Sequence, residues 1–375
     1  MSSTPPPDQS KDQHEPSSSP WVLITGIGGL IGTRVADFLH PGYRVVGIDR
    51  REEDNLPHPD TPYEYFPVDL TDHENVHETL KKIQKLTGGH LASVVHLAAY
   101  YDFAGEPSPL YESLTVNGTR HLLRELQNFG TVEQFIFSSS LLVMKPNNTP
   151  GPISETDPVE GKWDYPKSKI AAEKVIQEEH GEIPAVSLRI AGVYDERGHS
   201  LPLGQQIDRI HEKQFEGYFY PGDSQRGQAL VHLDDLAEMV HLTVEHRARL
   251  DPYEIFLVAE PDVMTYDELQ DQLGELIHGE EWPTIRIPKF VAKAGARVMN
   301  AFASEDDPEF IKPWMIDIAD DHYEADISKA RARVGWNPKH RLRETLPAIV
   351  NSLKHDPDRF YRENYLTPPD DEQST

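Results

Sequence analysis

The chain has 375 residues, 36 Lys and Arg against 63 Asp and Glu, a net charge of −27 and no Cys. At about 100–200 residues per domain, this length predicts one large domain or two modest ones. The lack of Cys excludes disulfide scaffolds, thiolate zinc sites and Cys nucleophiles, and it is compatible with the cytoplasmic location that we expect. The acidic charge argues against nucleic acid or an anionic membrane as a partner.

Both ends of the chain are polar. Residues 1–20 and 366–375 are dominated by Pro, Ser and charged side chains, so we expect two disordered tails. Residues 1–20 contain no apolar run of the kind that a signal peptide needs. No window approaches about 18 uninterrupted apolar residues, and we therefore expect no membrane span.

Between the tails, short apolar runs alternate with stretches of helical spacing such as residues 30–39. The predicted strands are WVLIT (21–25), YRVVGI (43–48), YEYFPV (63–68), SVVHLA (93–98), QFIFS (134–138) and AVSLRI (185–190). Strands that alternate with helices indicate a parallel sheet covered on both faces. The predicted fold class is therefore α/β, a doubly wound sheet of the Rossmann type.

After about residue 195 the alternation becomes irregular, although EIFLVA (254–259) is predicted to return to the sheet. We expect a cofactor-binding domain formed by residues 21–195 and about 228–259. Residues 196–227 and 260–365 would form a smaller, mostly helical domain that binds the substrate.

A glycine-rich turn follows the first predicted strand. The sequence TGIGGLIG places Gly26, Gly29 and Gly32 between that strand and the next helix. Gly26 permits a tight turn, Gly29 lets a pyrophosphate approach the backbone, and Gly32 lets helix and strand pack closely. The helix N-terminus, where Leu30 and Ile31 lie, supplies free N–H groups and the positive end of the helix dipole. The pattern predicts a dinucleotide site.

The second predicted strand is followed by an acidic residue, Asp49. A carboxylate at this place accepts hydrogen bonds from a ribose 2′-OH and repels a 2′-phosphate, which favours NAD over NADP. Arg50 and Arg51 follow directly and weaken that preference, because an Arg can hold the extra phosphate. After the third strand, Asp69 and Leu70 are candidates for the adenine end, although a loop or capping role explains Asp69 almost as well.

Tyr165 and Lys169 are spaced i and i+4 in WDYPKSKIAAEKV (163–175), on a predicted helix. Side chains at this spacing share one face. An ordinary Tyr has a pKa of about 10, and we expect the Lys169 ammonium to lower it. Tyr165 would then exchange a proton with a substrate hydroxyl while a nicotinamide exchanges hydride.

Three consecutive serines end the fifth predicted strand. Ser140 is the candidate that polarises the substrate oxygen, with Ser138 and Ser139 as alternatives, and Ser139 is also a candidate for substrate contact. The competing interpretation is that these hydroxyls satisfy backbone groups at the strand end.

Taken in chain order, these motifs resemble the extended short-chain dehydrogenase/reductase family, the NAD-dependent epimerase/dehydratase group. The similar segments are TGIGGLIG (25–32), HLAA (96–99), Ser140, Tyr165 with Lys169, RIAGVYD (189–195), LVHLDDLAEMV (230–240) and DISKARARVGWNP (326–338). The resemblance covers about residues 20–350. It implies an enzyme that uses NAD and adds cofactor-contacting positions at Leu97, Ala98, Ala99, Ile190 and Val193. Family members often dimerise through two long helices, so a homodimer is compatible with it.

Departures from the family pattern concern the substrate. Thr115 replaces the Asn of the family's N-V-x-G-T segment, and Gln228 stands where nucleotide-sugar members carry an Arg, with Arg226 nearby as a candidate substitute. Tyr101 and Phe103 make the loop after HLAA aromatic and are candidate substrate contacts. This loop resembles the corresponding loop of 3β-hydroxysteroid dehydrogenase-like and dihydroflavonol reductase-like members more than that of sugar-nucleotide epimerases.

The 18 histidines show no metal-ligand spacing, and His232, His322 and His96 are interpreted as isolated core or surface residues, so no metal is predicted. The resulting expectation is oxidation of a secondary alcohol by hydride transfer on a small molecule, a nucleotide sugar or related sugar. The alternatives are an oxidoreductase acting on a hydrophobic alcohol or ketone, and a non-catalytic NAD-sensing or scaffold protein.

Overall fold

The computed structural model describes residues 19–53, 61–102, 105–147, 151–300 and 313–368. Of the two tails predicted to be disordered, residues 1–18 and 369–375 lie outside the described residues.

The described part of the chain contains both long sheet strands and short strand pairs. The strands are β1 (Trp21–Thr25), β2 (Arg44–Asp49), β3 (Glu64–Pro67), β4 (His90–Leu91), β5 (Ser93–His96), β6 (Thr131–Val132), β7 (Phe135–Ser140), β8 (Ala185–Ile190), β9 (Gly192–Tyr194), β10 (Phe219–Pro221), β11 (Leu230–His232), β12 (Tyr253–Val258) and β13 (Ile285–Ile287).

Helices connect most of these strands. The α-helices are α1 (Leu30–Leu39), α2 (His73–Thr87), α3 (Thr119–Leu126), α4 (Asp164–Glu179), α5 (Leu201–His211), α6 (Leu233–Glu245), α7 (Tyr266–His278), α8 (Lys289–Asn300), α9 (Pro313–Ile318), α10 (Ser328–Val334), α11 (Leu342–His355) and α12 (Pro357–Glu363). A π-helix, Tyr111–Gly118, leads into α3, and short 3₁₀ turns cover Leu141–Val143, Phe215–Tyr218 and Arg247–Arg249.

Seven strands form one parallel sheet in the order β12-β8-β7-β5-β1-β2-β3. Strands β2 and β5 flank β1 on opposite sides, so the chain reverses its direction across the sheet at β1 and β5. Ligands of open parallel sheets bind at this kind of reversal, beyond the carboxyl ends of the strands. The predicted doubly wound α/β fold is confirmed.

Predicted and observed strands agree closely. The runs 21–25 and 185–190 are strands with the predicted bounds, and the others shift by one or two residues at their ends. The predicted return of 254–259 to the sheet occurs as β12, which pairs with β8. Alternation of buried strands and amphipathic helices predicts this fold well, because each strand buries most of its length and each helix buries one whole face.

Each face of the sheet carries its own core. Helices α1, α6 and α10 pack on one face with Val35, Leu236 and Val334 in the core. Helices α2, α3 and α4 pack on the other face. The α2 helix begins where the Asp72 side chain accepts from Asn75 N–H, and it ends at Gly88 in the left-handed conformation.

The C-terminal region has a third core, to which α5, α7, α11 and α12 contribute buried residues. Two short parallel strand pairs, β9 with β11 and β10 with β13, are not predicted as strands, and β10, β11 and β13 lie after residue 195, where the alternation becomes irregular. Strands of three residues carry too few side chains to show an alternating pattern, which explains why the sequence does not reveal them. None of the described helices is long and apolar enough to cross a membrane.

Candidate active site

The turn between β1 and α1 is shaped by its glycines. Gly26 has φ +73°, and a Cβ on it would lie 3.0 Å from the Ala98 nitrogen. A Cβ on Gly32 would lie 2.3 Å from the Gly26 carbonyl oxygen. The turn therefore requires a left-handed backbone conformation at position 26 and the absence of a side chain at position 32. This agrees with the tight turn and close packing predicted for the motif.

The same turn directs the start of α1 toward the carboxyl ends of the strands. Gly29 precedes the first helical residue and has no side chain with which to cap it. The first turn of α1, with Leu30, Ile31 and Gly32, contains no acidic side chain, and its N–H groups have no partner within the helix. A phosphate fits this end of the helix because the N–H groups and the dipole both favour an anion.

Asp49 lies at the end of β2, directly against the glycine turn. Its carboxylate accepts from Gly28 N–H at 3.1 Å and from Arg51 N–H at 3.2 Å. The Arg51 guanidinium bonds the Gly28 carbonyl oxygen, whereas Arg50 is exposed. A carboxylate has about four acceptor positions, so Asp49 keeps acceptor capacity for ribose hydroxyls.

Asp69 and Leu70 lie shortly after β3. The residue before them, Val68, donates its N–H to the Asp49 carbonyl oxygen at 2.7 Å, which brings this segment close to Asp49. The Asp69 carboxylate accepts from both Thr71 N–H and Thr71 Oγ1 at 2.8 Å, which makes it a turn-stabilising residue. Asp72, not Asp69, caps α2. Asp69 is exposed and Leu70 is buried, so an adenine contact stays a prediction for both.

A buried hydrogen-bond chain joins the glycine turn to the segment Leu97, Ala98 and Ala99. Thr25 Oγ1 contacts His96 Nδ1 at 2.7 Å and accepts from Ala98 N–H at 3.1 Å, and His96 Nε2 contacts Thr119 Oγ1 at 2.9 Å. Burial, together with the nearby Lys169, lowers the pKa of His96 to about 3. His96 is therefore neutral, as the core role predicted for it requires.

Ser140 and Tyr165 come together from β7 and α4. Ser140 Oγ accepts from Leu142 N–H at 3.2 Å and is also a hydrogen-bonding partner of the Tyr165 hydroxyl. Both lie at the carboxyl end of the sheet, since Ser140 is the last residue of β7. The structure thus places beside each other the hydroxyl predicted to exchange a proton, that of Tyr165, and the hydroxyl predicted to polarise the substrate oxygen, that of Ser140.

The ammonium of Lys169 lies beneath Tyr165. Its Nζ is 5.8 Å from the centre of the Tyr165 ring and 4.8 Å from that of Phe137, and it donates to the Ser138 carbonyl oxygen at 2.6 Å. Burial lowers the pKa of Lys169 to about 7, against an upward effect of Glu173. The ammonium is therefore only partly protonated at neutral pH.

The expected lowering of the Tyr165 pKa is wrong. Burial raises the pKa of Tyr165 to about 12, and the Ser140 hydrogen bond opposes this only in part. The loss of water around the phenol hydroxyl outweighs nearby stabilising groups, so Tyr165 is a weaker acid than an ordinary tyrosine.

Ser139 does not face this pair of hydroxyls. Its Oγ donates to Glu173 Oε1 at 2.5 Å, and the same carboxylate binds the Arg189 guanidinium at 2.8 and 3.0 Å. Successive strand residues point to opposite faces, so Ser139 turns into the core between β7 and α4. This corrects the prediction that Ser139 contacts the substrate, and it reveals a buried Glu–Arg pair that the sequence analysis missed.

Aromatic rings gather around Tyr165. The ring centre of Tyr101 lies 4.8 Å from that of Tyr165, edge to face, and Tyr101 is 54% exposed. Trp163 lies against Trp314 at 5.3 Å, which joins the start of α4 to α9. Phe103, the other aromatic candidate, lies outside the described residues. Trp314 is far from Trp163 in sequence, so no local pattern could have revealed the pair.

Arg226 lies on the loop before β11. Its guanidinium is paired with Asp223 at 3.4 Å and donates to the Asn147 carbonyl oxygen at 3.1 Å. Thr115, at the family's Asn position, is fully buried and accepts from Tyr100 N–H at 3.0 Å, so it fixes the segment after β5. Ile190 pairs with Ser140 in the sheet register, and Val193 lies in β9.

His232 is not isolated, which corrects the sequence interpretation. It stacks on His340 with ring centres 3.9 Å apart, and its Nε2 lies 3.4 Å from Glu196. These three side chains could converge on one metal ion. However, His232 Nδ1 accepts from Asp234 N–H at 3.2 Å, so its hydrogen belongs on Nε2, where a metal would bind. We interpret the cluster as two stacked rings beside Glu196, in which His232 Nε2 and His340 Nδ1 have no hydrogen-bond partner among the described residues.

The turn, the acidic strand end and the Ser–Tyr–Lys set together define a class, that of α/β enzymes that bind a dinucleotide at the carboxyl edge of a parallel sheet. The model of the NAD dependent epimerase/dehydratase family matches residues 22–259. The chain belongs to this family, and the family description agrees with the cofactor predicted from the sequence.

Individual relatives are distant. The chain is 24% identical over 352 residues to the uncharacterized protein y4nL of Sinorhizobium fredii, covering 89% of this chain and 95% of the relative. It is 22% identical over 356 residues to UDP-glucuronate 4-epimerase of Thermodesulfobacterium geofontis, covering 89% and 96%. Among solved structures, DesIV, the dTDP-glucose 4,6-dehydratase of Streptomyces venezuelae with NAD and TYD bound, is similar with a TM-score of 0.68. It is 19% identical, covering 92% of this chain and 99% of DesIV.

Proposed function

We propose that the protein oxidises a secondary hydroxyl of a nucleotide sugar and returns the hydride to the same molecule, as an epimerase or dehydratase. The observation that carries this proposal is the meeting of Ser140 and Tyr165, above Lys169, at the carboxyl edge of a sheet that also carries the tightly packed glycine turn. Similarity to UDP-glucuronate 4-epimerase and DesIV supports the sugar class.

Several groups fit the parts of NAD. The N–H groups at the start of α1 would hold the pyrophosphate, Asp49 the adenosine ribose, and Lys169 the nicotinamide ribose. NAD, when bound, supplies the hydride acceptor. The packing of the turn supports this assignment, because a Cβ at Gly26 or Gly32 would clash with backbone atoms and displace the start of α1.

The chain's own residues move the proton. Because the pKa of Tyr165 is about 12, the phenol is protonated at neutral pH and is ready to donate to a ketone oxygen. Oxidation of the hydroxyl requires the phenolate, so Tyr165 must first release its own proton to solvent. The Ser140 hydrogen bond and the Lys169 ammonium would then stabilise the phenolate that receives the hydroxyl proton. Ser140 would donate to the same substrate oxygen and hold it beside Tyr165.

A second candidate is an oxidoreductase acting on a hydrophobic alcohol or ketone. It is favoured by the half-exposed Tyr101 ring against Tyr165, and by the ion pair of Arg226 with Asp223, which competes with binding of a diphosphate. Aromatic faces also accept sugar rings, so Tyr101 is compatible with both candidates.

Incubation of the purified protein with NAD and a panel of UDP-sugars, dTDP-sugars, sterols and flavonoids separates the candidates. We expect a converted nucleotide sugar, detected by mass spectrometry and NMR, without net NADH. Net NADH formation with a sterol or flavonoid, and no conversion of any nucleotide sugar, would overturn the proposal in favour of the second candidate. Tyr165→Phe provides the inactive control in both arms.

A further inference from the structure

A buried group of charges lies behind the Ser–Tyr–Lys set. Lys169 and Glu173 are one helical turn apart on α4, and Arg189 reaches Glu173 from β8. The three side chains belong to residues that are 3%, 7% and 4% exposed. Burial of a charge is costly unless an opposite charge or hydrogen bonds compensate it, so the balance of this group matters to each member.

The direct bonds within the group are uneven. Arg189 binds both oxygens of Glu173, through Nε at 3.0 Å and Nη2 at 2.8 Å. The Lys169 ammonium instead bonds a backbone carbonyl oxygen, that of Ser138, and its interaction with Glu173 acts across one helical turn. One carboxylate therefore serves two cations, one by contact and one at a distance.

We propose that Glu173 is a positioning residue for Lys169: its carboxylate is the counter-charge that keeps the buried ammonium protonated, and Arg189 and Ser139 hold that carboxylate in place. Ser139 serves this role through its hydrogen bond to Oε1. The inference rests on the proposed function, in which Lys169 supports Tyr165. It gives a reason for Ser139 and Arg189 to be buried at the ends of β7 and β8.

The physical reason lies in the two cations. A guanidinium does not lose its proton in a protein, whereas an ammonium does so readily when it is buried. If the negative charge of Glu173 is removed, the buried cations Lys169 and Arg189 lose their shared counter-charge. Of the two, only Lys169 can become neutral by losing a proton. The pKa of Lys169 is already about 7, so the change would fall within the physiological range.

Other groups surround the pair. His96 faces Lys169 from β5 and is neutral because burial lowers its pKa to about 3. Tyr165 lies on the same helix, and Tyr253 faces Glu173 from β12, with a pKa that burial raises. Both phenols are uncharged at neutral pH. Among these groups, Glu173 is thus the charge that raises the pKa of Lys169, and Arg189 is the cation paired with that carboxylate.

The test measures Lys169 itself, in the full-length protein without NAD or substrate. Protein labelled with [ε-¹³C]lysine is titrated by NMR, and the Lys169 signal is assigned by its loss in Lys169→Arg. For Glu173→Gln, which keeps the hydrogen bond from Ser139, we expect the titration midpoint of Lys169 to fall by between about one and two pH units. Glu178→Gln, an exposed change on the same helix, should leave the midpoint at its wild-type value.

Arg189→Gln carries the opposite prediction, because it removes the competing cation and should raise the Lys169 midpoint. An unchanged midpoint in Glu173→Gln, or an unchanged or lowered one in Arg189→Gln, would overturn the proposal. The two substitutions are independent of each other, so either variant that folds tests the proposal.

A second readout links the titration to catalysis. If Lys169 acts while protonated, the alkaline limb of the kcat profile in Glu173→Gln should move to lower pH by the same amount as the NMR midpoint. NAD binding by the wild-type protein, measured by calorimetry, tests the proposed function separately. A protein that fails to bind NAD would refute that function and leave the Lys169 titration as an independent result.

Discussion

The glycine turn and the buried charge group behind Tyr165 are two neighbouring regions that work by opposite means. In the turn, function depends on missing side chains, since a Cβ at Gly26 or Gly32 would meet the backbone at 3.0 or 2.3 Å. In the charge group, function depends on long side chains from α4 and β8 that share one carboxylate. The first is a matter of shape and the second of electrostatic balance, so they should respond to mutation differently.

The largest effect is expected where the charge group meets the reacting atoms. Tyr165→Phe removes the proton donor, and turnover should fall about 10³-fold, within the range of general acid–base catalysis. NAD affinity should stay close to that of the wild type, because the change removes one hydroxyl outside the glycine turn. Steady-state kinetics and calorimetry measure the two quantities.

The matched control is Tyr365→Phe, at a side chain that is 86% exposed. A Tyr165→Phe protein that keeps most of its turnover would show that another group supplies the proton.

In the glycine turn, a substitution should act through steric overlap and not through a lost catalytic group. In Gly32→Ala the new methyl would meet the Gly26 carbonyl oxygen, and backbone on both sides cannot yield as a side chain could. We expect a loss of about 1–3 kcal/mol in the free energy of unfolding, measured by urea denaturation, together with weaker NAD binding. Gly42→Ala, with no atom within 4 Å of the added carbon, is the control. Equal stability of the two variants would contradict the tight packing at Gly32.

A smaller change is expected at Asp49, where shape and charge combine. Asp49→Ala removes the acceptor for ribose hydroxyls and the bond to Gly28 N–H, so NAD affinity should fall about tenfold while the preference against NADP weakens. Calorimetry with both dinucleotides measures this. Asp69→Ala should lower NAD affinity less than Asp49→Ala does, because Thr71 already occupies the Asp69 carboxylate. A larger loss of affinity in Asp69→Ala would instead place the ribose near β3.

The last effect depends on pH and concerns His96, which hydrogen-bonds Thr25 and lies within the electrostatic influence of Lys169. Its folded-state pKa of about 3 lies below the ordinary 6.5, so the unfolded state binds a proton first as pH falls. His96 should therefore destabilise the protein below about pH 6.5, by up to about 1.4 kcal/mol per pH unit.

His96→Asn, which lacks this titration, should make the acid dependence of the unfolding free energy shallower. Urea denaturation between pH 4 and 7 measures the slope, with His40→Asn at an exposed position as the control. Parallel slopes for the wild type and His96→Asn would show that His96 is not the group responsible.

Much of the first region could be predicted from the sequence. Gly26, Gly29, Gly32 and Asp49 lie within two strands and one helix, and local geometry dictates their arrangement once those elements form. The same holds for Tyr165 and Lys169, which are one turn apart on α4. The family resemblance, which the family match confirms, rests on these short-range motifs.

The second region depends on contacts that no short window contains. The sequence makes Ser139 a candidate for substrate contact beside Ser140, but the alternation of β7 turns its side chain toward Glu173. His232 was interpreted as isolated because its partner His340 lies more than a hundred residues away. Pairings of this kind depend on how helices and strands stack, and a linear pattern does not encode that directly.

By itself, the amino-acid sequence determined the order of strands and helices, the glycine turn and the spacing of the proton-exchanging pair, because periodicity and backbone sterics act over a few residues. The tertiary structure alone decided the charge states around that pair. Desolvation raised the pKa of Tyr165 to about 12 against the expectation, and it lowered that of Lys169 to about 7. Ionisation depends on every charge and solvent boundary within several ångströms, and these are set only when distant parts of the chain pack together.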